Sequence, residues 1–595
     1  MNQNAVSFYQ SEKELFKSEL ATVINKIKFS GWLRLIIFVL IFIPLIIWGW
    51  NGWITVAPAL LFLFIFSFLV KWNIILEQHK KKLQALLTLA ENELLALNHQ
   101  FSHFDDGRDF LDPAHFNSYD LDLFGEGSVF QFLNRTSTQC GRQRLADWLK
   151  DPLLQKDEIE QRQAAIRELS AIPDWRLHFL ATGILFREND EMNEEIKDWS
   201  DTSLTLNNPK RILLLINILP VLTAGAAIFA LTGSTSLPFV LAVFTQWGIL
   251  YSYRKKVAEY NIMFGRKSEL LEKYMQMLEF IETHPFQAPF LANLRNKVIM
   301  PEKASHIFRQ LKQRVNQLEY RDNLVVNLVL NSIFLWDVRS IYKLWNWHFR
   351  HRKKIGRWLD VLAETDALIS LANLAYNHPE FVYPEVHEGG YTLKATRIGH
   401  PLIPKNKRVN NDLEINGWGK IIIITGANMA GKSTFLRTIG VNLLLARTGA
   451  PVCAEYLRFS PVNIYTNMRT TDSLLKDESY FFAELKRIKT LLDKLESGER
   501  MLVILDEMFK GTNSVDKLNG SRELIRKLLD LKAVALIATH DLKISEMEYE
   551  YPQMIFNKCF EIKLEGDEML FDYLLKDGVT KTMNATFLMK KMGII

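Results

Sequence analysis

Four stretches without a charged residue interrupt a chain that is otherwise rich in charge: Leu35–Trp50, Ile54–Val70, Ile212–Leu231 and Leu237–Tyr253. The first two hold 16 and 17 residues. As helices they would be ~25 Å long, close to the ~30 Å of a bilayer's hydrocarbon layer. Trp32, Trp48, Trp50, Trp53 and Trp72 stand at their ends, where amphipathic indoles favour the membrane interface. Asn51-Gly52 breaks the first pair and Thr232–Ser236 the second, so each pair reads as a helical hairpin. Basic residues gather at the outer ends: Lys26, Lys28, Arg34, Lys71 and Lys80–Lys82 for the first, Lys210, Arg211 and Arg254–Lys256 for the second. By the positive-inside rule both turns face outward and the large segments stay in the cytoplasm, a multi-pass topology of four spans in the inner (cytoplasmic) membrane. The alternative is that these runs are buried helices of a large soluble domain, a reading that Pro220 and Pro238 favour for the second pair. A further apolar run, Leu324–Trp336, has only 13 residues and contains Asn327 and Asn331. It reads as a core helix.

The pattern elsewhere is mainly helical. Residues 1–30 alternate charge and apolar positions as an amphipathic helix, and 73–105 continue the second run as a stalk. Asp105–Asp122 is polar and reads as a linker, followed by helices over 123–166, with a stop before Pro152, and over 255–377. Short apolar runs then change the picture. Ile421–Ile424, Met501–Leu505 and Ala533–Ile537 read as buried strands, each followed by residues that carry chemistry.

After the first of these, Gly426-Ala427-Asn428-Met429-Ala430-Gly431-Lys432-Ser433 fits the phosphate-loop pattern G-x-x-x-x-G-K-[ST]. Such a loop wraps phosphate oxygens with backbone N–H groups, so its glycines stand where a side chain would block the approach. Lys432 would reach the β and γ phosphates of ATP and Ser433 would place its hydroxyl on Mg²⁺. The helix from Thr434 would turn its positive end toward the phosphates. The second run ends in Asp506-Glu507, with Asp506 expected to hold Mg²⁺ through water and Glu507 to orient or deprotonate the attacking water. The third ends in Ala538-Thr539-His540, which would set His540 to sense the γ phosphate.

Length and charge bound these readings. At about 150 residues per domain, 595 residues allow three or four domains. The 72 basic residues against 67 acidic give a net charge of +5, too weak an average field to require a nucleic-acid partner, so any such surface must be local. Cys140, Cys453 and Cys559 lie far apart and form no metal-type spacing. Some thirty polar and charged residues precede the first apolar run, which does not fit a cleavable signal peptide.

The segment from Leu123 through Asn134-Arg135-Thr136-Ser137-Thr138, Gly141-Arg142, Trp148, Pro152 and Arg162-Gln163 resembles the start of the core domain of MutS-type mismatch-repair ATPases. Asp366–Ala372 resembles the return of that core, and His400-Pro401-Leu402-Ile403 with Asn410-Asn411-Asp412 resembles the opening of the family's ATPase domain. Gly511–Asp516 is similar to its subunit-interface loop, and Ser479-Tyr480-Phe481-Phe482-Ala483-Glu484 to its Ser-x-Phe-x-x-Glu signature. Phe571-Asp572-Tyr573, Asn584-Ala585 and Met589–Ile594 resemble its closing helices. The resemblance implies that Ser479 completes the ATP site of a second subunit, hence a homodimer, and that DNA is the partner.

The implied architecture is multidomain. Residues 1–110 form an N-terminal helix, a membrane hairpin and a stalk; 111–395 form a helical core and lever holding the second hairpin; 396–595 form an α/β ATPase domain of the ABC type. The implied function is a membrane-anchored ATPase that binds mismatched or branched DNA and couples ATP binding and hydrolysis to clamp movement. The alternative is an ABC-like switch acting on a membrane or protein partner without DNA. Lys303, Arg309, Lys312, Arg314 and Arg350, Arg352, Lys353, Lys354, Arg357 are the candidate polyanion-binding positions. The sequence departs from the family in several places. Phe124-Gly125-Glu126, Phe186-Arg187-Glu188 and Phe280-Ile281-Glu282 all match the mismatch-wedge tripeptide, so none identifies it. Ala427 and Ala430 replace the usual proline and glycine, and Arg408 and Cys559 stand where an adenine-stacking ring is expected, with the Arg408 plane able to stack instead.

Overall fold

The computed structural model describes residues 3–49, 52–112, 115–186, 204–233, 235–265, 267–427, 429–469, 480–565 and 568–581. Helices α1 (Gln3–Trp48) and α2 (Trp53–Leu97) form a long hairpin. Both change character midway, because their sequences do. Phe16 and Val23 of α1 and Leu83 and Leu86 of α2 pack against Leu177 and Ala181 of the helical core. Beyond Ser30 and Leu69 the same helices turn apolar side chains outward, with Trp53 80% and Phe64 74% exposed. The amphipathic segment and the first apolar run are thus one helix, and the second run and the stalk another.

The helical core contains α3 (Val129–Leu133), α4 (Gln139–Lys150), α5 (Lys156–Ser170) and α6 (Pro173–Ile184). The second hairpin, α7 (Pro209–Leu231) and α8 (Leu237–Phe264), interrupts it, and α9 (Ser268–Thr283), α10 (Pro289–Ile299) and α11 (Ala304–Glu319) resume it. By length and composition, α1, α2 and α7 are apolar enough to cross a membrane. The fourth expected span is a helix, but Gln246 and the basic residues from Arg254 lower its apolar character.

Next come α12 (Leu324–Phe334) and α13 (Trp336–Asn377), bent 81° from each other. The expectation of a core helix at Leu324–Trp336 fails. Among the residues of α12 only Asn331 is buried, because the helix packs on α7 and α8 and projects its apolar side chains outward. The 42-residue α13 is instead the spine of the core, buried almost continuously from Val361 to Leu374. Asp366 ties the two halves of the core together: it accepts from the backbone N–H of Ser137 and Thr138 and, at 2.7 Å, from the Thr138 hydroxyl. The approach is so close that a Cβ on Gly141 would lie 2.3 Å from Asp366 Oδ2. Burial pushes the Asp366 carboxyl up to about 6.

The remaining chain is α/β. Strands β1 (Glu385–Val386), β2 (Thr392–Ile398), β3 (Asn411–Asn416) and β5 (Tyr456–Phe459) form a small sheet ordered β1-β5-β2-β3. The larger sheet uses β4 (Ile421–Gly426), β6 (Asn463–Asn467), β7 (Met501–Asp506), β8 (Val534–Thr539), β9 (Ile555–Glu565) and β10 (Glu568–Asp577), in the order β10-β9-β4-β8-β7-β6. It is parallel except for the edge strand β10. β4, β7 and β8 are buried along their whole length, as continuous apolar runs require when helices cover both faces. Those helices include α14 (Lys432–Arg447), α15 (Tyr480–Glu496) and α16 (Ser514–Asp530).

Candidate functional site

The register of the large sheet brings the three chemical motifs to one edge. Thr425 of β4 pairs with Thr539 of β8, and Asp506 of β7 with Ala538 of β8. The loop after β4, the Asp506-Glu507 pair and His540 therefore emerge together at the carboxyl ends of parallel strands, where open α/β sheets bind ligands. A cleft of about 390 Å³ lies there, lined by Ala427, Met429, Gly431–Phe435 and Glu507 on one side and by Ile398, His400, Val409, Phe560 and Tyr573 on the other.

Gly431 caps α14 with φ +103°, a left-handed conformation that favours glycine, and a Cβ there would meet the Tyr573 ring at 3.1 Å. Ala430 is buried beneath the loop, while Asn428 lies outside the described residues. Lys432 folds back so that its ammonium donates to the carbonyls of Gly426 and Ala427 at 2.7 and 2.9 Å. Burial pushes its pKa down and the Glu507 and Asp506 carboxylates oppose that, so the lysine and both acids share one field. Ser433 and Thr434 follow in the first turn of α14. Asp506 is buried at the end of β7, and Glu507 Oε1 lies 3.4 Å from His540 Nδ1. Burial pushes the His400 imidazole down to about 4, so a neutral ring faces the cleft near pH 7.

Backbone strain concentrates here. Met429, Glu507, Phe509 and Tyr573 all have φ between +51° and +67°. Such conformations cost a non-glycine residue roughly 1–3 kcal/mol and persist where surrounding contacts fix them. For the loop after Glu507 the contact is Glu484, whose buried carboxylate accepts from the N–H of Phe509 at 2.6 Å and of Lys510 at 3.2 Å. Phe481 packs edge-on to Phe509, and a Cβ on Gly511 would lie 2.8 Å from Phe481 Cβ. The start of α15 and the segment after the two acids are thus one packed unit. Ser479, just before α15, lies outside the described residues, as do Asn584-Ala585 and Met589–Ile594.

The segment expected to be a linker is a clasp. Asp120 is fully buried and accepts from the Thr466 hydroxyl at 2.7 Å, the Arg469 N–H at 2.8 Å and the Arg487 guanidinium at 3.0 Å. Its carbonyl accepts from Arg437 of α14 at 3.0 Å, and Asp122 pairs with Arg469 at 2.6 Å. Residues 117–122 therefore grip α14, whose first turn lines the cleft, and α15 at once. Polar residues in this stretch look like solvent-facing chain in sequence because their partners lie some 350 positions away.

Arg408 does not line the cleft; its guanidinium lies over Phe381, 5.7 Å from the ring centroid. Cys559 is buried within β9. Two rings that do line the cleft, Phe560 and Tyr573, are placed by the β9–β10 hairpin, and Asn411 fixes Tyr573 by donating to its carbonyl at 3.1 Å. Phe560 follows Cys559 directly, so a one-position shift in reading the strand would have found it.

Fold and cleft define a multidomain chain in which a long helical core carries a parallel α/β domain with chemistry at its strand ends. Two family profiles match it: MutS domain III over residues 115–213 and MutS domain V over residues 422–590. The chain is 25% identical over 511 residues to the DNA mismatch repair protein MutS of Thermotoga petrophila, covering 78% of this chain and 61% of that protein. It is 34% identical over 232 residues to the MutS of Aquifex pyrophilus, covering 38% and 26% of the two chains. With MutS protein homolog 4 of Mus musculus it shares 29% identity over 265 residues, 43% and 27% of the chains. The chain belongs to the MutS family. It spans about three fifths of the length of the Thermotoga relative.

Proposed function

We propose that this protein is a membrane-anchored MutS-type ATPase that dimerises through its nucleotide sites and couples ATP binding and hydrolysis to clamp-like movement of its helical core on DNA. One observation carries the reading: Gly431, Lys432 and Glu507, far apart in sequence, line one cleft, with Asp506 at the adjoining strand end and His540 3.4 Å from Glu507, all within the segment that matches MutS domain V. The cleft suits ATP. Residues 426–434 offer backbone donors, Lys432 a compact cation, and His400, Phe560 and Tyr573 flat surfaces for a base. Among the described residues no cluster of three His, Cys, Asp or Glu is set to hold a metal. That fits Mg²⁺, which binds through one or two protein groups together with phosphate oxygens and water. Ser433 and Asp506 would hold it, and it would neutralise developing phosphate charge. Glu507, oriented by His540, takes the proton of the attacking water.

Ser479 completes the partner subunit's site, so the dimer is the working unit. The exposed apolar halves of α1 and α2, together with α7 and α8, anchor the chain in the cytoplasmic membrane with its bulk on the cytoplasmic side. DNA, mismatched or branched, is the partner, and ion pairing distinguishes the two runs of candidate contacts. Lys312 and Arg309 face Glu272 and Glu279 at 2.6 and 3.5 Å, whereas Arg350, Arg352, Lys353, Lys354 and Arg357 have no carboxylate partner among the described residues. The second run is therefore the better polyanion surface.

The test is binding of the detergent-solubilised protein to homoduplex, mismatched duplex, four-way junction and single-stranded DNA, with and without ATP, across a salt series. Nucleotide-dependent preference for one structure, weakening steeply with salt, is expected. ATP turnover that is indifferent to DNA but responds to lipid would favour a switch acting on a membrane or protein partner.

A further inference from the structure

The helix α12 is 11 residues long, ~16 Å, about half of what crosses a hydrocarbon layer. Its outward face is strongly apolar, with Leu324 83% and Val325 69% exposed and Leu328 and Val329 beside them. It lies against α7 and α8, so this face continues the exposed apolar faces of the second hairpin.

Every polar side chain that α12 brings has a hydrogen-bond partner within the protein, and Asn331 is buried. Asn323 caps it by accepting from the N–H of Val325 and Val326 at 3.1 and 3.2 Å. Asn331 donates to Asn327 and accepts from the Asp337 N–H at 3.0 Å. At Leu335 the chain turns left-handed, with φ +50°, and the helix breaks. Two backbone groups at that break find the same partner. Gln246 of α8, fully buried, donates to the Ile333 carbonyl and accepts from the Leu335 N–H, each at 3.2 Å. Its amide also reaches the hydroxyl of Thr223 on α7, and Trp247 donates to Ser332 at 3.0 Å. Leu335 is fully buried, so its N–H needs a protein partner in any setting, and beside a bilayer no water is at hand to replace one. In a bilayer each unsatisfied group costs several kcal/mol, and irregular backbone persists only where protein satisfies it. This accounts for the least apolar part of α8: its polar residues serve α12.

We propose that α12 is a re-entrant membrane helix that enters and leaves on the cytoplasmic side, packed on α7 and α8, with lipid acyl chains covering Leu324, Val325, Leu328 and Val329. It is not the first part of a broken span. Beyond the bend α13 begins with Asp337 and Arg339 and buries Val338, Ile341 and Leu344 in the protein core. One helix therefore runs from the protein-enclosed break beneath α12 to Asn377, beside the α/β domain, and carries movement of the core to the bilayer. The inference rests on the membrane anchoring proposed above.

The test uses the full chain in vesicles, with a fluorophore on Leu328→Cys, on Leu222→Cys at the exposed face of α7, or on Lys303→Cys. Quenching by shallow nitroxide lipids is compared with quenching by aqueous iodide. Several-fold stronger lipid quenching at 328 and 222, and the reverse at 303, is the expected result. Lipid quenching at 222 with iodide quenching at 328 would overturn the re-entrant helix while leaving the anchor standing. Iodide quenching at both would remove the anchor itself. Protection of 328 from both quenchers would mean that protein covers this face and would also overturn the proposal. Gln246→Leu should raise iodide access at 328 and leave 222 unchanged; no change at 328 would contradict the role of Gln246.

Discussion

The cleft and the α12–α13 break contain the same local defect, handled in opposite ways. Each interrupts regular structure with a left-handed non-glycine residue, Met429 and Glu507 in one place and Leu335 in the other. At the break, Gln246 takes up both the Ile333 carbonyl and the Leu335 N–H. At the cleft Met429 and Glu507 line an open cavity, and the segment after Glu507 is held from behind by Glu484 through the N–H groups of Phe509 and Lys510. Strain at the cleft is left accessible on one side; strain at the break is closed by the buried Gln246 amide. The same conformation therefore marks a binding site only when its hydrogen-bonding groups face a cavity.

Substitutions can break this contrast. Lys432→Ala should have the largest effect, removing the only cation inside the loop among the described residues and taking ATP turnover below detection in a phosphate-release assay. Glu507→Gln should keep ATP affinity but lower the turnover rate by about 100- to 10,000-fold, the range for loss of a general base. The resulting ATP-bound species should run as a dimer in size-exclusion chromatography, and rapid hydrolysis would contradict the role given to Glu507. Glu484→Ala sharpens the comparison because it removes only the support behind the strained loop. It should lower kcat about tenfold, equivalent to ~1.4 kcal/mol, with little change in KM. A change in KM alone would place Glu484 in nucleotide binding instead. Gln246→Leu should leave turnover in detergent unaltered and destabilise the second hairpin by about 2 kcal/mol, read as a lower unfolding temperature, because two backbone groups lose their partner.

Much of the α/β domain was legible because three of its buried strands, β4, β7 and β8, each end in a motif. A buried parallel strand is a continuous apolar run, and the residues that follow carry the chemistry; register then brings Gly431, Asp506 and His540 together without further information. The helical part was harder to read. The run Leu324–Trp336 matches a core helix in length and in its two asparagines, and only its packing on α7 and α8 shows those asparagines turned inward and its leucines outward. Asp120 looked like linker because its basic partners lie on distant elements. Arg408 lies over Phe381 instead of in the cleft, and rings there come from the β9–β10 hairpin, where Asn411 binds Tyr573 across 162 positions.

The central claim is that the cleft is half of a composite ATP site in a dimer. The most direct measurement is ATP turnover by Lys432→Ala protein, by Ser479→Arg protein and by an equal mixture allowed to exchange subunits. Each variant alone should be inactive. The mixture should recover up to about a quarter of wild-type activity, because half the dimers then hold one intact site. Normal turnover by Lys432→Ala protein, or no recovery from a mixture shown to contain heterodimers, would contradict the account.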